Sequence, residues 1–319
     1  MIHMMKLRDK IAVFLARRIN LNPEKSDDSV KRIKLYEKRA KLGVYKLKRG
    51  FERTDYEVNG VPLELYKRKG SESKKLIFIV HGGAFILGLI NIYRNLHAKI
   101  SDAANGAAVA VIDYRTAPDY LYPTAHDDVR AGWEFLKHLG YNPCDIVLMG
   151  DSSGGNLVLS LLLKLRDEDK AMPAAAVLIS PWTDLLATGA SYKSNYTCDA
   201  IFGRKKGVLD ESIIQKLLES GIFAYAGSAD RGDPYLSPVL GEYHGMPPML
   251  MTAGSHEMLL DDTLTVSKKI KAAGGDVKVI VGEGMFHVYP LLHSISPTAK
   301  KTFNAILIFL REHTESEVR

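Results

Sequence analysis

The stretch Gly150-Asp151-Ser152-Ser153-Gly154-Gly155 carries the strongest chemical signal in the chain. A short apolar run over 145–149 precedes it, and a helical pattern follows from about Gly155. A serine between glycines at a strand-to-helix turn fits the nucleophile-elbow pattern GxSxG. Such a serine sits in a strained backbone conformation, and residues without a Cβ at 150 and 154 let the turn close. The N-terminus of the following helix favours negative charge beside it. The chemistry open to Ser152 is nucleophilic attack on a carbonyl carbon, provided a base takes its proton.

Three other segments supply what that attack needs. His81-Gly82-Gly83 follows the apolar run 76–80, and two glycines at a strand's C-terminal end can aim backbone N–H groups into a cavity. Such donors suit the oxyanion of a tetrahedral intermediate. His287, in Gly284-Met285-Phe286-His287-Val288-Tyr289, lies just past the run 277–281, at the same sheet edge as Ser152, and is the candidate base. For a serine at an elbow of this kind the chain order is serine, then carboxylate, then histidine. Glu257, in the loop after the run 248–253, is the carboxylate so placed. Asp261 is the weaker alternative, because it and Asp262 open a helix, where N-capping accounts for both.

The elements that must position these residues are readable from periodicity. Helical spacing covers 5–18 and 26–43, divided by Pro23, with Ser26, Asp27 and Asp28 as N-terminal signals. Asn59-Gly60 predicts a hairpin between strands at 56–59 and 61–66. Buried-type strands follow at 76–80, 107–114, 145–149, 174–179, 248–253 and 277–281. Helical patterns at 91–103, 123–138, 154–168, 259–273 and 296–312 lie between most of them. Alternation of this kind predicts an α/β fold with a mostly parallel sheet covered on both faces. Residues 186–226 interrupt it, with a helix at 210–220, and read as an insertion.

Together these motifs resemble the hormone-sensitive-lipase-like branch of the α/β-hydrolases, the bacterial family IV carboxylesterases. The resemblance runs from about Leu76 to the C-terminus. It rests on His81-Gly82-Gly83, Asp113-Tyr114-Arg115 with Ala117-Pro118, Tyr122-Pro123 with Asp127-Asp128, Gly150 to Gly155, Ser180-Pro181-Trp182 with Asp184, Asp233-Pro234 with Ser237-Pro238, Glu257 and His287. It implies an eight-stranded sheet under a helical cap. Residues 1–50 would form the N-terminal cap segment, 51–185 the first part of the core, 186–226 the cap insertion and 227–319 the second part of the core. It implies Ser152 as nucleophile, His287 as base, Glu257 as the orienting acid, and the backbone N–H groups of Gly82, Gly83 and Ser153 as oxyanion donors. Ala84, where many members have a third glycine, and Ser153, where alanine is usual, depart from the pattern at positions that act through backbone. The activity implied is hydrolysis of short-chain acyl esters through an acyl-enzyme. Phe85, Ile86 and the region around Phe14 are candidate pocket walls. Acetylated sugars are an alternative substrate class, and a catalytically silent hydrolase-fold receptor is the rival reading. The joint presence of Ser152, Glu257 and His287 argues against the receptor.

Composition bounds the rest. Hydrophobic residues make up 46% and charged residues 25% of the 319, which excludes disordered, collagen-like and coiled-coil chains. Cys144 and Cys198 are too few for a disulfide scaffold, and no apolar run approaches the ~18 residues of a membrane span. A cytoplasmic protein without stable membrane insertion is expected. No metal or organic cofactor is needed, and His126-Asp127-Asp128 and His256-Glu257 have no metal-ligand spacing. The net charge of +6 is uneven: residues 1–50 hold 15 Lys and Arg against 5 Asp and Glu, leaving a net −4 on the remainder. A basic arm suits nucleic acid, an acidic membrane surface or anionic substrates, or is simply a solvated pair of helices. The acidic remainder argues against nucleic acid. The partner expected is a small-molecule ester, with a homodimer as the assembly suggested by analogy.

Overall fold

A computed structural model describes residues 5–19, 26–42, 45–204 and 206–315. The break expected at Pro23 lies outside them, as do the side chains of Ser26, Asp27 and Asp28. Two helices form where helical spacing predicts them, α1 (Leu7–Ile19) and α2 (Ser26–Lys41). Asn59 and Gly60 both take positive φ, 53° and 80°. That is the geometry of the tight turn whose twist matches paired strands. It joins β1 (Phe51–Val58) to β2 (Val61–Arg68), with Val58 opposite Val61, in strands longer than the apolar pattern alone suggests.

The remainder alternates: β3 (Leu76–Val80), α3 (Asn91–Arg94), α4 (His97–Ala103), β4 (Ala108–Ile112), α5 (Thr124–His138), β5 (Ile146–Asp151), α6 (Ser153–Asp167) and β6 (Ala175–Ile179). After the insertion come β7 (Met249–Gly254), α9 (Leu260–Ala272), β8 (Val277–Gly282) and α10 (Pro297–Glu312). The single helix expected over 91–103 is broken at Asn95-Leu96, which brings Tyr93, Leu96 and His97 all into the interior. The sheet order is β1-β2-β4-β3-β5-β6-β7-β8. β2 pairs antiparallel with both β1 and β4, and every pairing from β4 to β8 is parallel. Parallel strands buried on both faces need unbroken apolar runs, and β3, β4 and β6 are buried at every residue. From β3 to β4 the chain steps one way across the sheet; from β4 to β5 and onward it steps the other way. Right-handed crossovers therefore put α4 on one face and α5, α6 and α9 on the opposite one. α10 packs beside α4 and so shares its face.

At the end of β5 the helix α6 drives straight against the sheet. A Cβ on Gly154 would lie 2.1 Å from the carbonyl oxygen of Val80, and one on Gly150 would lie 2.5 Å from that of Gly154. Both neighbours are backbone and cannot swing aside. Gly154→Ala is therefore expected to destabilise the protein by about 3 kcal/mol or more. Denaturant unfolding of the variant beside the wild type measures this, and an unchanged midpoint would contradict the packing argument.

Residues 186–226 hold α7 (Ala190–Ser194), α8 (Glu211–Leu218) and a 3-10 turn (Gly221–Ala226). Asp210 caps α8, its carboxylate accepting the Ile213 amide at 3.0 Å, which places the helix where 210–220 predicts.

Candidate active site

Ser152, Glu257 and His287 each follow the C-terminal end of a parallel strand: β5, β7 and β8. Parallel strands end at one edge, so three residues 135 positions apart at the extremes converge there. Ser152 has φ 51° and ψ −122°, the strained position expected of an elbow. Its amide donates to Ile179 O at 2.9 Å and its carbonyl accepts from Trp182 N at 3.0 Å, so the strain is held by the neighbouring strand. The Ser152 Oγ lies 2.9 Å from His287 Nε2. His287 Nδ1 lies 3.3 Å from Glu257 Oε2, ion-pair separation without hydrogen-bond alignment. Such contacts are commonly loose in an unliganded site and tighten around substrate. All three residues are buried. Burial pushes the Glu257 carboxyl above the usual carboxylate range, and His287 pulls it partly back.

The glycine loop differs from expectation at one donor. The Gly82 amide is already engaged, donating to Asp151 Oδ1 at 3.0 Å and to the Tyr93 hydroxyl at 3.1 Å, so it is not free for an oxyanion. Tyr93 in turn donates to Asp151 Oδ2 at 3.0 Å. The Asp151 carboxylate therefore anchors this loop to the elbow. Among the described residues the amides of Gly83, Ala84 and Ser153 have no acceptor, and Gly83, Ala84 and Ser152 line one cavity. Gly83 has φ 130°, Ala84 φ 56° and Phe85 φ 58°. Left-handed backbone at Ala84 costs about 1–2 kcal/mol, so the departure from glycine there is energetic even though the position acts through backbone.

Burial raises the Asp151 carboxyl from 3.8 to about 6, against the pull of the Tyr93 hydroxyl and Gly82 amide. The folded state holds this proton more tightly than the unfolded chain. The associated stability is thus complete below pH 3.8 and is lost as pH rises through about 6. Asp151→Asn removes that dependence. The difference in Tm between wild type and Asp151→Asn is expected to change between pH 4 and pH 7, by an amount corresponding to about 3 kcal/mol. Parallel Tm curves would contradict the shift.

The cavity over Ser152 has a volume of about 180 Å³ and mostly apolar walls. They come from Ala16 of α1, Ile33 and Tyr36 of α2, Leu87 and Ile90 of the loop after β3, Ile201 and Phe202 of the insertion, and Phe286 and Leu291 after β8. Among the described residues no Lys or Arg lines it. The three candidate walls fall elsewhere: Phe85 is buried against Tyr225, ring centroids 4.1 Å apart, Ile86 is buried in the core outside the cavity lining, and Phe14 faces outward.

Sequence reasoning missed the supports of the acid loop. Asn195 Nδ2 donates to Ser255 O at 3.1 Å and to Glu257 O at 2.9 Å. The buried Asp199 carboxylate accepts the Met258 amide at 2.7 Å with one oxygen, and the Ile201 and Phe202 amides at 2.7 and 3.0 Å with the other. Phe202 then packs on the His287 ring, centroids 4.9 Å apart. The insertion thus grips both the carboxylate loop and the imidazole. No local signal in the sequence marks Asn195 or Asp199, since their partners lie about 60 residues away. Asp262 does not serve its own helix: its carboxylate accepts the amides of Thr183 and Asp184 at 2.6 and 2.8 Å. Asp128 holds the Arg115 amide at 2.9 Å, and His126 lies between Tyr225 and Asn156, in keeping with structural roles.

An eight-stranded, mostly parallel sheet with a serine–histidine–carboxylate cluster at its edge defines a class of hydrolase, and comparison with known proteins agrees. Residues 77–291 match the model of a family with the α/β-hydrolase fold. The chain belongs to that family, in its hormone-sensitive-lipase-like esterase branch. It is 33% identical over 247 residues to an acetyl-hydrolase of Streptomyces hygroscopicus, covering 77% of this chain and 79% of that one. An esterase of Acinetobacter venetianus is 34% identical over 257 residues, covering 78% and 80%. A solved esterase of the bacterial hormone-sensitive lipase family superposes with a TM-score of 0.81 at 30% identity, covering 98% of this chain and all of that one, 100%.

Proposed function

We propose that this chain hydrolyses short-chain carboxylic esters by acyl transfer through Ser152. That it is a carboxylic ester hydrolase follows from its family. The observation that carries it is the 2.9 Å contact between Ser152 Oγ and His287 Nε2 at the floor of an apolar cavity. As Ser152 Oγ attacks the ester carbonyl carbon, its proton passes to His287 Nε2, and the carbonyl π electrons move to oxygen. Glu257 holds the imidazole in the tautomer with hydrogen on Nδ1 and stabilises the cation that forms. The oxyanion is taken by the amides of Gly83, Ala84 and Ser153, each donor contributing about 3 kcal/mol. His287 protonates the departing alkoxide, leaving an acyl-serine. Water then repeats the sequence, releases the acid and restores the Ser152 hydroxyl.

A cavity of about 180 Å³ with apolar walls suits an acyl chain of a few carbons and offers little to a polyhydroxylated alcohol. Residues 1–50 and 186–226 act as the cap in this reading, because α1, α2 and the insertion supply the walls opposite Ser152. The ester is the partner; a cytoplasmic location and a homodimer complete the reading, and light scattering on the purified protein tests the latter. The described cysteines are both free thiols, which suits a reducing compartment, and no described helix is long and apolar enough to cross a membrane. A panel of nitrophenyl esters from acetyl to decanoyl, with acetylated sugars alongside, tests the substrate class. Activity is expected to peak among the short acyl chains and to be weak on the sugars; a peak at decanoyl or on an acetylated sugar would overturn it. A fluorophosphonate is expected to label Ser152, whereas a silent receptor would stay unlabelled.

A further inference from the structure

α1 presents two apolar faces, and among the described residues only one is packed against the fold. Asp9, Ala12 and Ala16, at helical spacing, are buried. Ala12 and Ala16 pack into a cluster with Ile201, Met285, Phe286 and Tyr289. Asp9 accepts from the Thr298 amide at 3.2 Å and the Thr298 hydroxyl at 2.8 Å, fastening α1 to the start of α10. On the opposite side Leu7, Ile11 and Phe14 form a second stripe at i, i+4 and i+7, and they are 75%, 44% and 57% exposed. Leu15, 40% exposed, widens it. A stripe this apolar, on a helix already anchored by its other face, is not explained by folding.

Charge identifies what would cover it. Lys6, Lys10, Arg17 and Arg18 border or end the stripe, all exposed and none with an acidic partner among the described residues. The one acidic side chain of α1, Asp9, is buried and already bonded. A second copy of this chain seated face to face would bring these cations against their like, with no carboxylate between them. An anionic lipid surface meets both needs: its acyl boundary takes Leu7, Ile11 and Phe14, and its headgroups take the lysines and arginines. This is the pattern of a helix lying in a membrane interface. Ala16, on the same helix, lines the cavity above Ser152, as do Ile33 and Tyr36 of α2.

The geometry points to α1 as an interfacial docking helix that seats this protein on an anionic lipid surface beside the mouth of its active-site cavity. The proposal rests on the ester-hydrolase reading for its purpose, the capture of esters dissolved in a bilayer, but docking is read without turnover. The full chain is floated with vesicles of equimolar phosphatidylcholine and phosphatidylglycerol, or of phosphatidylcholine alone, at low and high salt. Binding is expected for the anionic vesicles and should weaken at least about tenfold at high salt or with Lys10→Glu/Arg17→Glu. Leu7→Ser/Ile11→Ser/Phe14→Ser should weaken it at least about tenfold at either salt. Hydrolysis of water-soluble nitrophenyl acetate should be the same in all variants, since none of these residues lines the cavity. Wild-type protein that does not float with anionic vesicles overturns the proposal. So does a triple-serine variant that floats like wild type, or light scattering in which the wild type is a dimer and that variant a monomer, which would make the face a contact between copies. Vesicle binding without nitrophenyl acetate turnover would instead count against the hydrolase reading and leave the docking helix standing.

Discussion

Ser152→Ala is expected to lower kcat for a short-chain nitrophenyl ester by about a millionfold while leaving the fold intact. The effect is large because the proposed mechanism needs this hydroxyl to bond the carbonyl carbon and, at 2.9 Å, to pass its proton to His287 Nε2. The amides of Gly83, Ala84 and Ser153 remain, so a small residual rate from oxyanion stabilisation survives. Folding should be nearly unaffected: the backbone at 152 is held by Ile179 O and Trp182 N rather than by its side chain. Steady-state and burst kinetics beside thermal melts check this. Wild-type-like turnover in the variant would remove Ser152 from the mechanism.

Glu257→Gln carries the second largest effect, a fall in kcat of about 10³- to 10⁴-fold, by analogy with charge removal from other orienting carboxylates. Glutamine keeps the size of the side chain but offers no negative charge to the imidazolium, and its amide group can hold the imidazole in the wrong tautomer. Stability should move the other way. Burial raises the Glu257 carboxyl above the usual range, so the stability linked to this group is present at low pH and lost as pH rises through its folded value. Neutral glutamine escapes that loss, and the variant is expected to melt at or above the wild-type temperature at neutral pH. A drop in kcat of less than about tenfold would assign the acid role elsewhere, with Asp199, a buried carboxylate that interacts with His287, an alternative in the same cluster.

The cluster also explains why the insertion matters beyond forming walls. Asp199 and Asn195 hold the backbone on either side of Glu257, and Phe202 packs on His287. Movement of this segment would disturb Glu257, His287 and the cavity together.

Much of this arrangement is written into short stretches of sequence. The elbow is legible because its glycines, its strand and its helix are chain neighbours, and steric closure at Gly150 and Gly154 is a local requirement. The hairpin at Asn59-Gly60 is legible for the same reason. Ser152, Glu257 and His287 can be assigned to one edge because parallel strands all end there. Other features depend on which distant surfaces meet, and no local pattern encodes that. The Gly82 amide looks like an oxyanion donor until packing brings Asp151 and Tyr93 against it. Phe85 looks like a pocket wall until Tyr225 covers it, and Ala16, small and inconspicuous, becomes a wall because α1 packs beside the cavity. α1 itself reads as an ordinary amphipathic helix; only its docking through Asp9, Ala12 and Ala16 shows that Leu7, Ile11 and Phe14 are left facing out. Local sequence marks the candidate reacting groups and the strands that carry them, because those follow from steric and hydrogen-bonding rules acting over a few residues. Tertiary structure alone decided which amides stay free, which side chains wall the cavity and which apolar face stays bare, because each depends on contacts between segments far apart in the chain.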